Sequence, residues 1–233
     1  MNPILAVVAV AVVAGAVIAV SAREARIVVL ALAATLILSP LLADPIAAPV
    51  GLAARLIGSI LAVYLLWIAI RDRPVTGPVA AVTVVSAETG GSRIGWPAEA
   101  LVGASAAVAG FAAHGLGAPA VGPALASAVG FAVAALAIAP MLTGRDVLRI
   151  GTGLFLLLDA GLVVRVALGG TPEPSEQLVT SGLLIALGGT LAALAVAART
   201  DGPGGLELAA ESGSRRQRAR DAQPLDPMRP PPR

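Results

Sequence analysis

The stretch VLRIGTGLFLLLDAGLVVRVAL, residues 147–168, decides how the chain is read. It is apolar throughout except for small residues and three charges, Arg149, Asp159 and Arg165. At 1.5 Å per residue a helix of this length is about 33 Å long, enough to cross a hydrocarbon core of about 30 Å. In lipid the backbone must satisfy its own hydrogen bonds, so such a run has to be helical.

Working outward, six more runs of the same kind lie at about 3–20, 27–43, 46–70, 97–115, 118–142 and 177–198. Turn and charge signals separate them, among them Asp44-Pro45, Arg71-Asp72-Arg73-Pro74 and Gly144-Arg145-Asp146. Of the 233 residues, 57% are hydrophobic and 13% charged. Soluble domains carry about 25% charged residues, so this chain cannot clothe a water-facing surface. The expected fold is all-α: a polytopic bundle of seven transmembrane helices over 1–199, followed by a disordered cytoplasmic tail over 200–233. That tail is rich in Pro, Gly and Arg and has too few apolar residues for a core. Truncation after Thr200 is expected to leave the membrane abundance nearly unchanged.

Orientation follows from arginine. The loops after runs one, three and five, with the end of run seven, hold Arg23, Arg26, Arg71, Arg73, Arg93, Arg145, Arg149 and Arg199. The loops after runs two, four and six hold none. Positive residues gather on the cytoplasmic side, which places the N-terminus outside and the C-terminus inside, in the cytoplasmic (inner) membrane. The first run is preceded by Met-Asn-Pro with no positive charge, so it is read as a retained helix rather than a secretory signal. The loop 71–96 is oddly apolar and reads as an ordinary cytoplasmic loop, with an interfacial strand or re-entrant piece as the alternative.

The rare residues exclude much chemistry. Cysteine is absent, which removes disulfides, iron–sulfur clusters and thiolate metal sites. One histidine, His114, cannot supply paired imidazoles. All sixteen basic residues are Arg, so there is neither a P-loop lysine nor a Schiff-base lysine. No catalytic set can be assembled, and no cofactor, metal or nucleic-acid partner is expected.

Charges inside a membrane cost about 2.5–3.5 kcal/mol at the centre on insertion scales, so they mark where function is to be sought. Asp159 is mid-run and too short to reach an interface. Its carboxyl must be paired, hydrated or neutral there, which makes it a candidate proton or ion relay, the alternative being a hydrogen-bonded group that only joins helices. Arg55 is the second candidate for an ion path: either a buried cation facing a neighbouring helix or a side chain reaching outward. Arg165 is expected to snorkel to the outer surface. His114 is expected at the interface, and Glu99 at the start of its helix, where it complements the helix dipole. The glycines Gly151, Gly153, Gly182, Gly188 and Gly189 are expected to let helix backbones approach closely.

The segment Gly144-Arg145-Asp146-Val147-Leu148-Arg149-Ile150-Gly151-Thr152-Gly153-Leu154 leads into an apolar helix, a short polar loop and an Ala/Gly-rich last helix. It resembles the small K-like membrane subunit of proton-pumping NADH dehydrogenase (complex I). Still more it resembles the seven-helix hydrogenase-4 component E proteins, which Pro123-Ala124-Leu125-Ala126 and Gly205-Leu206-Glu207-Leu208 also fit. The likeness covers about 97–210; the first three helices agree in number and in carrying Arg55. It implies a non-catalytic, cofactor-free integral subunit of an ion-translocating assembly, partnered by antiporter-like and redox membrane subunits in the bilayer. The chain departs from the pattern where the K-like subunit's glutamates lie: the first position falls on Phe155, one turn from Asp159, and the second near Ile185 with no carboxylate beside it. A stand-alone secondary transporter and a membrane scaffold or assembly protein are the competing readings.

Overall fold

The computed structural model describes residues 3–46, 48–71, 95–116, 120–143 and 147–200, without the side chains of 71, 143 and 197–200. The apolar loop 71–96 lies almost entirely outside the described residues, as does the tail 201–233. Among the described residues there are seven long helices and no strand: α1 Pro3–Ser21, α2 Ala25–Leu38, α3 Pro49–Arg71, α4 Trp96–Ala113, α5 Ala124–Thr143, α6 Val147–Gly169 and α7 Pro174–Thr200. All seven, α2 together with the 3-10 turn that continues it, are long and apolar enough to cross a membrane. The chain is a helical protein of the multi-pass membrane type.

Local chemistry sets the ends. Proline is the first residue of α1, α3 and α7, a position where its missing N–H costs nothing and its fixed φ suits the helix. At the other end of α6, Gly170 takes φ +73° and its N–H closes on the Val166 carbonyl at 2.9 Å. That left-handed stop suits glycine. The run expected at 27–43 is not one α-helix: at Ser39-Pro40 it tightens into a 3-10 turn, Ser39–Leu42. Nor is the fifth run helical from its start. Residues 120–123 are irregular, and the N–H groups of Val121 and Gly122 donate to the carbonyls of Leu168 and Ala167, tying the entry of α5 to the end of α6.

Two helix pairs, α5 with α6 and α3 with α7, are the most intimately packed. Leu32 and Leu36 of α2, Val133 and Leu136 of α5, and Phe155 and Leu156 of α6 are fully buried. Ile4, Val7, Val10, Leu101, Val108 and Leu178 face outward, as a lipid-facing belt should. The helix ends meet in two groups. At one end Ser21 of α1 bonds Glu99 of α4, and Arg149 of α6 donates to the Val20 carbonyl. At the opposite end the entry of α5 joins the exit of α6.

The α3–α7 contact depends on glycine. A Cβ at Gly188 would lie 2.9 Å from the Cα and carbonyl oxygen of Ala62, which is backbone and cannot swing away. Gly151 and Gly153 are likewise closely faced, by Leu191 and Met141. Gly182 and Gly189 differ: nothing lies within 4 Å of a Cβ built there, so they do not serve close approach as expected from sequence. Their helix faces point away from the packed seams. Gly188→Val is therefore expected to cost about 1–3 kcal/mol by overpacking, while Gly182→Ala stays within about 0.5 kcal/mol. Unfolding midpoints in mild detergent would check this, and equal effects would refute the assigned faces.

Candidate functional site

The site forms where α2, α3, α6 and α7 converge. Asp159 lies twelve residues into α6, a rise of about 18 Å, and is 0% exposed. Arg55 lies six residues into α3 and is 4% exposed. Its Nη2 donates to Asp159 Oδ1 at 2.8 Å. The hydroxyl of Ser39, placed by the change from α to 3-10 geometry, donates to the same oxygen at 2.7 Å. Of the two readings of Arg55, the buried one holds: it faces α6 and does not snorkel. A buried charge is tolerable when paired and hydrogen-bonded, and here each member of the pair is the other's counter-ion.

A cavity of about 440 Å³ reaches this pair from the α6–α7 loop end. It exists because α6 and α7 touch little along their length, while each is packed tightly against another helix. Arg55 and Asp159 lie at its inner end, Ser39 and Gln177 add buried polar lining, and Leu162, Val163, Val166 and Val179 are among its aliphatic walls. Arg165 and Glu176 stand at the mouth, 39% and 43% exposed at the side chain and bonded at 2.7 Å. Arg165 also donates to the Gly170 carbonyl at 3.2 Å. The expected interfacial arginine thus has a defined task, latching the end of α6 to the start of α7 across the cavity mouth.

Three buried atoms of the lining residues have no protein partner: Arg55 Nη1, Asp159 Oδ2 and Gln177 Oε1. Gln177 is 5% exposed and was not singled out by the sequence. The available signal was its spacing to Ser181. Four residues apart, the two share a helix face, and both are buried. Gly51 of α3 makes room for the Gln177 side chain, its virtual Cβ lying 3.2 Å from Gln177 Cδ. Ser39 was likewise missed; a serine beside a proline within an apolar run was its only mark.

The cavity is one-sided. Toward the other end of α6 from Asp159 lie the fully buried Phe155 and Leu156, with Leu32, Leu36 and Leu136. Phe155, one turn from Asp159 on α6, is part of this apolar seal. Ten residues before Asp159 on α6, about 15 Å along the axis, Arg149 belongs to a second polar cluster with Val20 at the end of α1. Glu99 is buried there and accepts from the Ser21 hydroxyl, so it packs between helices as well as opening α4. Between the two clusters Thr152 and Thr35 donate to carbonyls of their own helices, Leu148 and Ala31, and carry no connection across the seal. His114 caps the end of α4 and is half-buried. Among the described residues no group of His, Cys, Asp and Glu could hold a metal ion.

What the fold and site define is a multi-pass helical membrane protein with a buried arginine–aspartate pair at the floor of a one-sided cavity. No family model matches the chain, and no match was found among curated proteins or solved structures.

Proposed function

We propose that this chain is a non-catalytic integral membrane subunit of an ion-translocating hydrogenase or complex I-like assembly, with Asp159 and Arg55 as its charge-handling pair. The observation that carries the proposal is the ion pair itself. An intramembrane carboxylate and guanidinium, costly to place there, are brought together from helices 104 residues apart in sequence, and both line a cavity between α6 and α7. The resemblance over 97–210 supports the same reading. The apolar seal beyond Asp159 fits a subunit that completes a path with neighbours rather than alone. Purification from native membranes in mild detergent should then yield antiporter-like and hydrogenase or quinone-oxidoreductase chains together with this one. Recovery of a clean homo-oligomer would defeat the proposal.

The proposed orientation is N-terminus outside and C-terminus cytoplasmic, from the arginine alternation. Reporter fusions after Arg73 and after Arg199 are expected to read cytoplasm, and one at Thr171 the outside. Any reversed reading would refute it. With this orientation the cavity opens outward.

One observation favours a second reading, a stand-alone small secondary transporter. A cavity of about 440 Å³ falls in the range of small-molecule sites, about 300–1,000 Å³. It ends near the middle of a helix, between segments broken at Ser39-Pro40, as transporter sites commonly do.

A further inference from the structure

The cavity between α6 and α7 presents a ligand specification that holds under either of those functions. Buried polar groups are nearly always partnered. Here one donor, Arg55 Nη1, and two acceptors, Asp159 Oδ2 and Gln177 Oε1, are unpartnered within the protein on side chains that all line the same cavity. A complementary molecule brings an acceptor to the guanidinium and N–H donors to the two oxygens.

Charge narrows the class. The floor pair Arg55–Asp159 sums to zero, and so does the rim pair Arg165–Glu176. A ligand of net charge would carry an uncompensated charge into a low-dielectric site, at high cost. A zwitterion meets each of its charges with an opposite one. The walls of Leu162, Val163, Val166 and Val179 then suit an aliphatic body.

The geometry points to a binding site for a zwitterion: its ammonium against Asp159 Oδ2 and Gln177 Oε1, its carboxylate or phosphate on Arg55 Nη1, and its aliphatic part along the α6–α7 walls. Two sources share this chemistry, a free aliphatic amino acid and the headgroup of an ethanolamine phospholipid.

The test uses the full chain purified in mild detergent and its tryptophan-reported unfolding midpoint, since a ligand that binds the folded state raises that midpoint in a saturable way. The probes are leucine, 4-methylpentanoate (which lacks the ammonium), 3-methylbutylamine (which lacks the carboxylate), and added phosphatidylethanolamine, phosphatidylcholine or phosphatidylglycerol. Stabilisation by leucine but by neither singly charged analogue identifies the free-solute source. Stabilisation by phosphatidylethanolamine alone, with leucine silent, identifies the lipid; phosphatidylcholine has no ammonium N–H to donate. In either case Gln177→Leu should weaken binding about tenfold, the loss of one hydrogen bond to a charged group. Leu162→Trp, which narrows the cavity without touching its polar floor, should weaken it too. No zwitterion stabilising the protein, equal stabilisation by a singly charged analogue, or unchanged affinity in both folded variants would overturn the assignment. Each readout is binding to the isolated chain, so its failure is distinct from failure of the subunit proposal, which the co-purifying chains decide.

Discussion

Arg55→Met is expected to destabilise the purified protein by about 3–5 kcal/mol, the usual cost of leaving one member of a buried ion pair alone. Asp159 is completely buried, and without Arg55 its carboxylate would keep only the Ser39 hydroxyl. Asp159→Leu should cost a similar amount, because Arg55 would lose its counter-ion and its hydrogen-bond partner together. The double variant, Arg55→Met with Asp159→Leu, removes both charges and fills the floor with apolar groups. Such replacements are often neutral or stabilising, so the double should return to within about 1–2 kcal/mol of the parent. The double-mutant cycle, read from unfolding in mild detergent, gives the coupling directly. Additive single effects would show that the two side chains do not depend on one another, and the pairing described above would be wrong.

That double variant also separates architecture from ion handling, which the single amide variant cannot do. From the sequence, Asp159→Asn looks conservative, since the amide keeps the size and hydrogen bonding of the carboxyl. The structure changes the expectation: Asn could still accept from Ser39 and Arg55, but it would leave the guanidinium without a counter-charge in a buried place. Its effect on transport would be mixed with a loss of stability. In vesicles holding the assembled complex, the Arg55→Met, Asp159→Leu double is expected to fold and assemble, yet to lower proton translocation per turnover tenfold or more, in line with the loss of a positioned proton-transfer group. Asp159→Glu, which still titrates and can reach Arg55, should retain part of the coupling. Equal coupling in the parent and the double would remove any relay role and leave the pair a structural joint between α3 and α6.

The lipid environment made much of this fold legible in the sequence. Where the solvent is hydrocarbon, length and apolarity alone force a helix, so the seven spans could be placed from runs such as 147–168 without knowing any contact. Boundaries were less legible, because they depend on short-range chemistry that apolarity hides: the 3-10 turn at Ser39-Pro40 and the irregular entry to α5 both lie inside runs that read as continuous. Asp159 and Arg55 were visible as anomalies for the same reason that the spans were visible, since a charge in such a run is conspicuous. Their pairing was not. It joins α3 to α6 across 104 positions, and periodicity within one helix carries no information about which helix it faces.

The sequence by itself determined the class, the number of spans and which side chains bear a cost in the membrane, because these follow from transfer between water and lipid residue by residue. The tertiary structure alone decided that Arg55 turns inward to Asp159, that Ser39 and Gln177 join them, and that Gly188 is pressed against Ala62 while Gly182 faces open space. It also decided that the cavity ends on an apolar seal of Phe155, Leu156, Leu32, Leu36 and Leu136. These features are set by which helices pack together and how closely. All the spans here are apolar enough to sit in lipid, so that choice is made by shape complementarity and by a few hydrogen bonds between distant segments, and it emerges only when the helices are assembled.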